Sequence, residues 1–205
     1  ESKIEHHVGD VCDLETLKKS ISDFQPDFVF HLAAQALVRR SYDDPTLTFK
    51  TNVLGTIHVL EAIKETPSVK AAVFITSDKC YENVEWEYGY REDDRLGGKD
   101  PYSASKACAE IAFSSYFRSY FQSENMAKVA TTRAGNVIGG GDWAADRIVP
   151  DCIRTWSQNE TTIIRSPKAT RPWQHVLEPL SGYLSLGENL FNETSNINGE
   201  SFNFG

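Results

Sequence analysis

Short apolar runs alternate along this chain with longer stretches of helical periodicity, the pattern of a parallel sheet covered by helices. Strands are expected over Ile4–Val11, Phe28–Ala33, Ala71–Thr76, Val129–Ala134 and Phe202–Phe204. The runs FVFHLA and AAVFIT are almost unbroken apolar segments, as in strands buried on both faces, so both are expected at the centre of the sheet. Asp44-Pro45 supplies an N-cap followed by proline at the first helical position, and Val53, Ile57 and Leu60 continue one face, predicting a helix to about Glu65. A second helix is expected from near Tyr102, through Ala107, Ile111 and Tyr116, to Phe121. A third starts at His175 or Leu177 and runs to Phe191, and another follows Arg147. The fold class is therefore α/β, a doubly wound parallel sheet.

Gly97-Gly98 and Gly139-Gly140-Gly141 punctuate the middle units, and no internal repeat or low-complexity tract interrupts them. A dinucleotide-binding half normally opens with a strand, a G-x-G-x-x-G-like turn and a helix whose N-terminus meets the pyrophosphate. No such turn lies near Glu1, and the Gly139–Gly141 cluster leads into Asp142-Trp143 with no immediate helical pattern.

Composition narrows the classes. The 205 residues and 40% hydrophobic share suffice for one substantial core, and a net charge of −8 leaves no basic excess for nucleic acid. No apolar run reaches bilayer-spanning length and the N-terminal segment lacks a signal core, so a cytoplasmic protein with no membrane partner is expected. Cys12, Cys80, Cys108 and Cys152 form no C-x-x-C pair and read as free buried thiols. The adjacent His6 and His7 would point to opposite faces of a strand and read as structural, so no metal site is expected.

Tyr102 and Lys106 form Y-x-x-x-K, a spacing that puts both side chains on one helix face, where an ammonium lowers the phenol's pKa and makes tyrosinate available as a base. A Tyr and a Lys one turn apart on an ordinary solvated helix look the same. The segment Thr76-Ser77-Asp78-Lys79 adds weight, because it follows a buried strand and open α/β sheets carry their functional groups at strand carboxyl ends. Ser77 and Tyr102 are then within reach of one substrate hydroxyl, the set that hydride transfer from an alcohol to a nicotinamide requires.

With these residues in view, the chain resembles the extended short-chain dehydrogenase/reductases, and within them the sugar-nucleotide 4,6-dehydratases. The blocks GDVCD, HLAAQALVRRSYDDP, TNVLGT, ITSDKCYEN, DPYSASKACAE, TTRAGNVIGGGDWAADRIVPD and RPWQHVLEPLSGYL follow family order over nearly the whole chain. The SDK and GNVIGGGDWAADRIVPD blocks look like the branch acting on CDP-glucose. The resemblance implies bound NAD, with Asp10 accepting from the adenine amino group beside Val11. It implies Leu32, Ala33, Ala34, Ala36 and Thr51 along the dinucleotide, and Tyr102 and Lys106 at the nicotinamide ribose. Gln35, Arg133, Asn136, Arg147 and Arg171 are implied as substrate-binding, arginine suiting a diphosphate through its planar fork. Pro172 stands where many relatives carry an aspartate.

By the same resemblance the reaction is dehydration of CDP-glucose in deoxysugar biosynthesis of the lipopolysaccharide O-antigen kind. Ser77, Asp78, Lys79, Tyr102 and Lys106 are its catalytic residues: Tyr102 is the base at carbon 4 and Asp78 the acid for the hydroxyl leaving carbon 6. Lys79 is the base at carbon 5, or a partner of Asp78, or a support for the enolate. An epimerase or ketoreductase of this fold would use Tyr102 and Lys106 without Asp78; a non-catalytic NAD- or nucleotide-sugar-binding module would use none of them as catalysts. The resemblance further implies a homodimer through the helices holding Asn52 and Tyr102. It divides the chain into a partial NAD-binding unit over 1–142, part of a substrate lobe over 143–174 and a return to the first unit over 175–205. It also implies that the glycine-rich unit precedes Glu1 and further substrate lobe follows Gly205, leaving residues 1–205 alone poorly folded, unable to hold the pyrophosphate and inactive.

Overall fold

In a computed structural model, which describes residues 4–193 and 196–205, four parallel strands form the main sheet. They are β1 (Phe28–His31), β2 (Ala71–Ile75), β3 (Lys128–Ala134) and β6 (Ser201–Phe204), in the order β1-β2-β3-β6. The register sets His31, Phe74, Thr131 and Ser201 in one row, so the carboxyl ends of all four strands emerge along one rim. A separate two-stranded parallel ladder joins β4 (Asn136–Ile138) to β5 (Trp173–His175) just beyond that rim.

Alternation along β2 explains the layers. Ala72 and Phe74 face a core built with Leu60, Ile63, Phe113, Phe121 and Val129. Ala71 and Val73 face the opposite core with Ala130, Leu186 and Leu190. The first core is covered by α1 (Leu14–Phe24), α4 (Gly55–Lys64) and α5 (Pro101–Tyr120), the second by α7 (Leu177–Asn192). Helices on both faces of a parallel sheet make this a doubly wound, Rossmann-type α/β fold. Gly182 lets α7 approach β6, because a side chain there would run into the Phe204 ring.

Several expectations need correction. Residues 4–10 are exposed and form no strand: alternation alone makes no strand without a neighbouring strand to exchange backbone hydrogen bonds. AAVFIT is central as expected, but FVFHLA supplies β1, which pairs with β2 alone; Phe28 is 39% exposed. The helix expected from Asp44 to Glu65 is α3 (Pro45–Phe49), a widened π-helical turn over Lys50–Leu54, then α4. That turn carries Asn52, whose inward amide donates to the Gln35 carbonyl and to Ser105 Oγ. Two helices were not anticipated, α1 and α2 (Val38–Asp43), and α6 (Ile148–Ser157) follows Arg147 as expected. All four cysteines are free, but only Cys80 is buried. His6 and His7 are exposed and His7 meets only Glu5, so neither supports the core.

The start of α5 is fixed by its cap. Asp100 accepts from the Ser103 N–H at 2.9 Å and from the Ser103 hydroxyl at 2.6 Å, with Pro101 at the first helical position. Asp100→Ala is expected to lower stability by about 1 kcal/mol. The change will show as a lower urea midpoint at unchanged slope; an unchanged midpoint would contradict the capping role.

Candidate active site

The rim of the sheet positions the chemistry. β2 stops at Ile75, and Thr76 leads into Ser77, the N-cap of a tight helical turn over Asp78–Cys80. The Ser77 hydroxyl accepts from the Lys79 N–H at 3.3 Å and donates to Asp78 Oδ1 at 3.1 Å. Tyr102, on the first turn of α5, lies close enough to the same Ser77 side chain for that hydroxyl to pull the phenol's pKa down. Its backbone N–H donates to Ser41 Oγ of α2 at 3.1 Å, which pins the helix start. Ser77, Asp78 and Tyr102 are therefore brought together, Asp78 near enough for its charge to act on the phenol.

Electrostatics here differ from the expectation that Lys106 makes Tyr102 acidic. Burial raises the Tyr102 pKa, while Ser77 and the Arg147 charge pull it down and Asp78 pushes it up. Only 7% of Tyr102 and 5% of Lys106 is exposed, so the phenolate loses hydration. Lys106 is turned instead to the Ile75 carbonyl, 3.4 Å from its Nζ. Burial lowers its own pKa to about 8, against upward pulls from Glu110 and Cys80. His31, which bonds Thr56 Oγ1 at 3.3 Å, is lowered to about 4 by burial and by the Lys106 charge. Lys79 is half-buried, and no ion pair joins it to Asp78 among the described residues.

The residues expected along a dinucleotide fall into two groups. Leu32, Ala33 and Ala36 are exposed just past the carboxyl end of β1, with Ala34 half-buried between them; Leu32 is 54% exposed. Asp10, Val11 and Thr51 gather around Cys12: Asp10 Oδ1 accepts from the Cys12 N–H at 2.9 Å, and Thr51 lies close enough to the Cys12 thiol to pull its pKa down against the raising effect of burial. The Val11 carbonyl accepts from His58 Nδ1 at 3.1 Å. Donation from the Cys12 backbone keeps the exposed Asp10 carboxyl below its ordinary pKa, so a charged acceptor is available there. An uncovered apolar rim, a carboxylate acceptor and the buried Tyr102 and Lys106 fit the adenosine and ribose parts of NAD.

The substrate set separates more sharply. Gln35 is buried and fully used within the fold, its side-chain amide donating to the Leu37 carbonyl and Thr48 Oγ1 and accepting from the Leu37 N–H. Arg133, 4% exposed, points inward and pairs with Glu110 at 2.8 Å, so its fork is not free for a diphosphate. Both expectations are corrected for the same reason: interior partners occupy the Gln35 amide and both terminal nitrogens of Arg133, although the buried Arg133 Nε has no protein partner. Arg147 is the arginine whose charge reaches Tyr102; it pairs with Asp142 at 3.1 Å and leaves a buried Nε without a protein partner. Asn136 and Arg171 adjoin at the β4–β5 ladder, where the Asn136 N–H donates to the Pro172 carbonyl at 2.9 Å. Arg171 is exposed.

Sequence reasoning missed three supports of this site. Asn52 ties the loop after β1 to α5 by accepting from the Gln35 N–H at 2.8 Å and donating to Ser105. Asp146 accepts from Arg39 at 3.0 Å and from Arg165, holding the Arg147 segment against α2. Glu110 anchors Arg133, and its place one turn after Lys106 was the available signal. A cavity of about 500 Å³ opens on Glu110 and Arg133 and includes neither Ser77 nor Tyr102 in its walls.

Comparison with known proteins adds the following. The model of the GDP-mannose 4,6 dehydratase family matches residues 1–203. The CDP-glucose 4,6-dehydratase of Salmonella typhimurium is 52% identical over 98% of this chain, which spans 57% of that protein's length. The dTDP-glucose 4,6-dehydratase DesIV of Streptomyces venezuelae, solved with NAD, superposes with a TM-score of 0.80 at 24% identity, over 95% of this chain and 56% of its own. The UDP-glucose 4-epimerase of Thermus thermophilus in complex with NAD gives 0.79 at 27% identity, over 96% and 62%.

The Lys106 environment has a measurable consequence. Between pH 8 and its ordinary 10.5 the unfolded chain keeps a proton that the folded chain has released, so stability rises with pH across that window. The rise amounts to roughly 3 kcal/mol in total. Comparing urea midpoints of wild type and Lys106→Met at pH 7.5 and 10 should show a rise that the variant lacks. Parallel pH dependence in the two proteins would place the lysine in water.

Proposed function

The chain belongs to the GDP-mannose 4,6-dehydratase family, and from that premise we propose that the complete protein dehydrates a nucleotide-linked hexose, CDP-glucose becoming CDP-4-keto-6-deoxyglucose and water. One observation carries the reading: the Ser77 hydroxyl donates to Asp78 Oδ1 at 3.1 Å, and Ser77 and Asp78 both lie close enough to act on the Tyr102 phenol, so a proton acceptor and a proton donor flank one point at the sheet rim. An epimerase has no use for the second of these.

NAD, when bound, supplies a hydride acceptor at carbon 4 and returns the hydride at carbon 6. Tyr102 takes the proton of the carbon 4 hydroxyl, Ser77 orienting that hydroxyl and sharing its hydrogen bond. The ketone so formed acidifies the carbon 5 proton; Lys79 removes that proton or steadies the enolate its loss creates. Asp78 delivers a proton to the hydroxyl leaving carbon 6, so one water is lost and no net oxidation results. Lys106 and Tyr102 would hold the nicotinamide ribose, Asp10 and Val11 the adenosine end, and Leu32, Ala33, Ala34, Ala36 and Thr51 would line the dinucleotide. Arg147, with its spare Nε, and Arg171 and Asn136 across the β4–β5 ladder receive the substrate diphosphate and nucleotide.

Residues 143–174 fit a substrate lobe and 175–205 the return to the cofactor sheet, since β6 closes on β3. Exposed Phe49, Leu54 and Ile111 support a homodimer through the helices that hold Asn52 and Tyr102. No helix of the described residues is long and apolar enough to cross a membrane, which agrees with work in the cytoplasm.

Tyr102→Phe and Asp78→Asn in the complete protein should each lower production of the 4-keto sugar from CDP-glucose by about 10²–10⁴-fold. Wild type should prefer CDP-glucose to its dTDP- and GDP-linked counterparts. Undiminished turnover by Asp78→Asn would favour an epimerase, and binding without any 4-keto absorbance would favour a non-catalytic module.

A further inference from the structure

The turn that carries Asp78 and Lys79 and the helix that carries Tyr102 and Lys106 are separate elements, yet both ends of the turn are tied to one carboxylate on that helix. On the amino-terminal side, the hydroxyl of Thr76, immediately before Ser77, donates to Glu110 Oε1. On the carboxyl-terminal side, Tyr81, immediately after Cys80, accepts at its hydroxyl from Arg133 Nη1 at 2.8 Å. Arg133 Nη2 in turn donates to Glu110 Oε2 at 2.8 Å. Glu110 lies on α5 one turn beyond Lys106 and is 2% exposed.

The second arm is braced further. The Tyr81 hydroxyl donates to Asn203 Oδ1 at 2.7 Å, and its ring stacks on Tyr90 with centroids 5.1 Å apart. The Cys80 carbonyl accepts from the Gly97 N–H at 2.8 Å, so the backbone after the turn is also held. Glu110, Arg133 and Tyr81 make no side-chain hydrogen bond to Ser77 or Tyr102 among the described residues; both terminal nitrogens of Arg133 donate within the protein, and its buried Nε is left without a protein partner.

We propose that Glu110, acting through Thr76 on one side and Arg133–Tyr81 on the other, is a positioning residue that sets the Asp78–Lys79 turn in register with Tyr102 and Lys106. The inference rests on the dehydration reading above. Its physical basis is that the acid and base at carbons 6 and 5 sit on the turn, while the base at carbon 4 sits on α5. A displacement between turn and helix leaves substrate contacts intact but misaligns the two halves of the reaction. Such misplacement by about 1 Å lowers rates by up to about 10²-fold. Because the arms pull on opposite ends of the turn, cutting either one releases it.

The test uses Thr76→Val and Tyr81→Phe, shape-conserving changes that each cut one arm, in the complete protein with CDP-glucose. Each is expected to lower kcat about tenfold with KM unchanged, as a loss confined to the reacting geometry does. Glu110→Gln should lower kcat at least as far, and Glu110→Asp, which keeps the charge, should recover part of it. Melting curves of Thr76→Val and Tyr81→Phe should stay cooperative, keeping the comparison valid where Glu110→Gln fails to fold. A higher KM at unchanged kcat in Tyr81→Phe and Arg133→Lys would return Arg133 to diphosphate binding and overturn the proposal. Full wild-type kcat in both single-arm variants would also overturn it while leaving the dehydration reading standing. A wild-type protein that turns over no nucleotide sugar would overturn that reading and this inference with it.

Discussion

Glu110 and Arg133 stand 2.8 Å apart in the interior, both nearly inaccessible to water. Burying two charges is tolerated where close geometry and further hydrogen bonds offset the lost hydration, here with one donor, Arg133 Nε, left without a protein partner, and breaking such a pair from one side costs about 3–5 kcal/mol. Here Glu110 also accepts from Thr76, from the Thr131 hydroxyl at 3.0 Å and from Ser201 Oγ at 3.2 Å. Arg133 donates to Tyr81, to Ser201 and to the Glu92 carbonyl. One pair thus joins α5 to β2, β3 and β6, and to the loop that returns after the Asp78 turn. Helix and sheet rim are held in a single alignment, and the groups at the rim inherit it.

That alignment buries Tyr102 and Lys106 together, where a phenolate and an ammonium would both lose hydration. Burial raises the phenol and lowers the ammonium, the lysine to about 8. Desolvation thus favours the neutral phenol and eases loss of the lysine's proton, while the Arg147 charge works against the first effect by favouring tyrosinate.

Much of this was legible from patterning alone. The parallel sheet followed from continuous apolar runs, because a strand buried on both faces leaves no polar alternation, as Ala71–Ile75 shows. The α5 start followed from Asp100-Pro101, an N-cap and proline whose effect is local. What depended on distant partners was lost. FVFHLA reads as central although β1 has one neighbour among the described residues, and residues 4–10 alternate without forming a strand. Helix α1 was readable, with Asp13 capping and Leu17 and Ile21 facing the core, but its short polar-rich stretch hid it beside the stronger runs. Arg133 and Gln35 show the limit most clearly. Nothing in either residue's neighbours along the chain distinguishes an arginine aimed at phosphate from one neutralising Glu110, or a glutamine facing substrate from one closing its own loop on Thr48.

The central claim is that the Asp78 turn and the Tyr102 face of α5 act on one hexose, so that oxidation at carbon 4 and loss of the carbon 6 hydroxyl belong to a single turnover. Feeding the complete protein CDP-glucose deuterated at carbon 4 and locating the label in the product tests it most directly. The account expects the deuterium at carbon 6 of a 4-keto-6-deoxy sugar. Deuterium still at carbon 4 of an inverted sugar, or released to solvent, would contradict it.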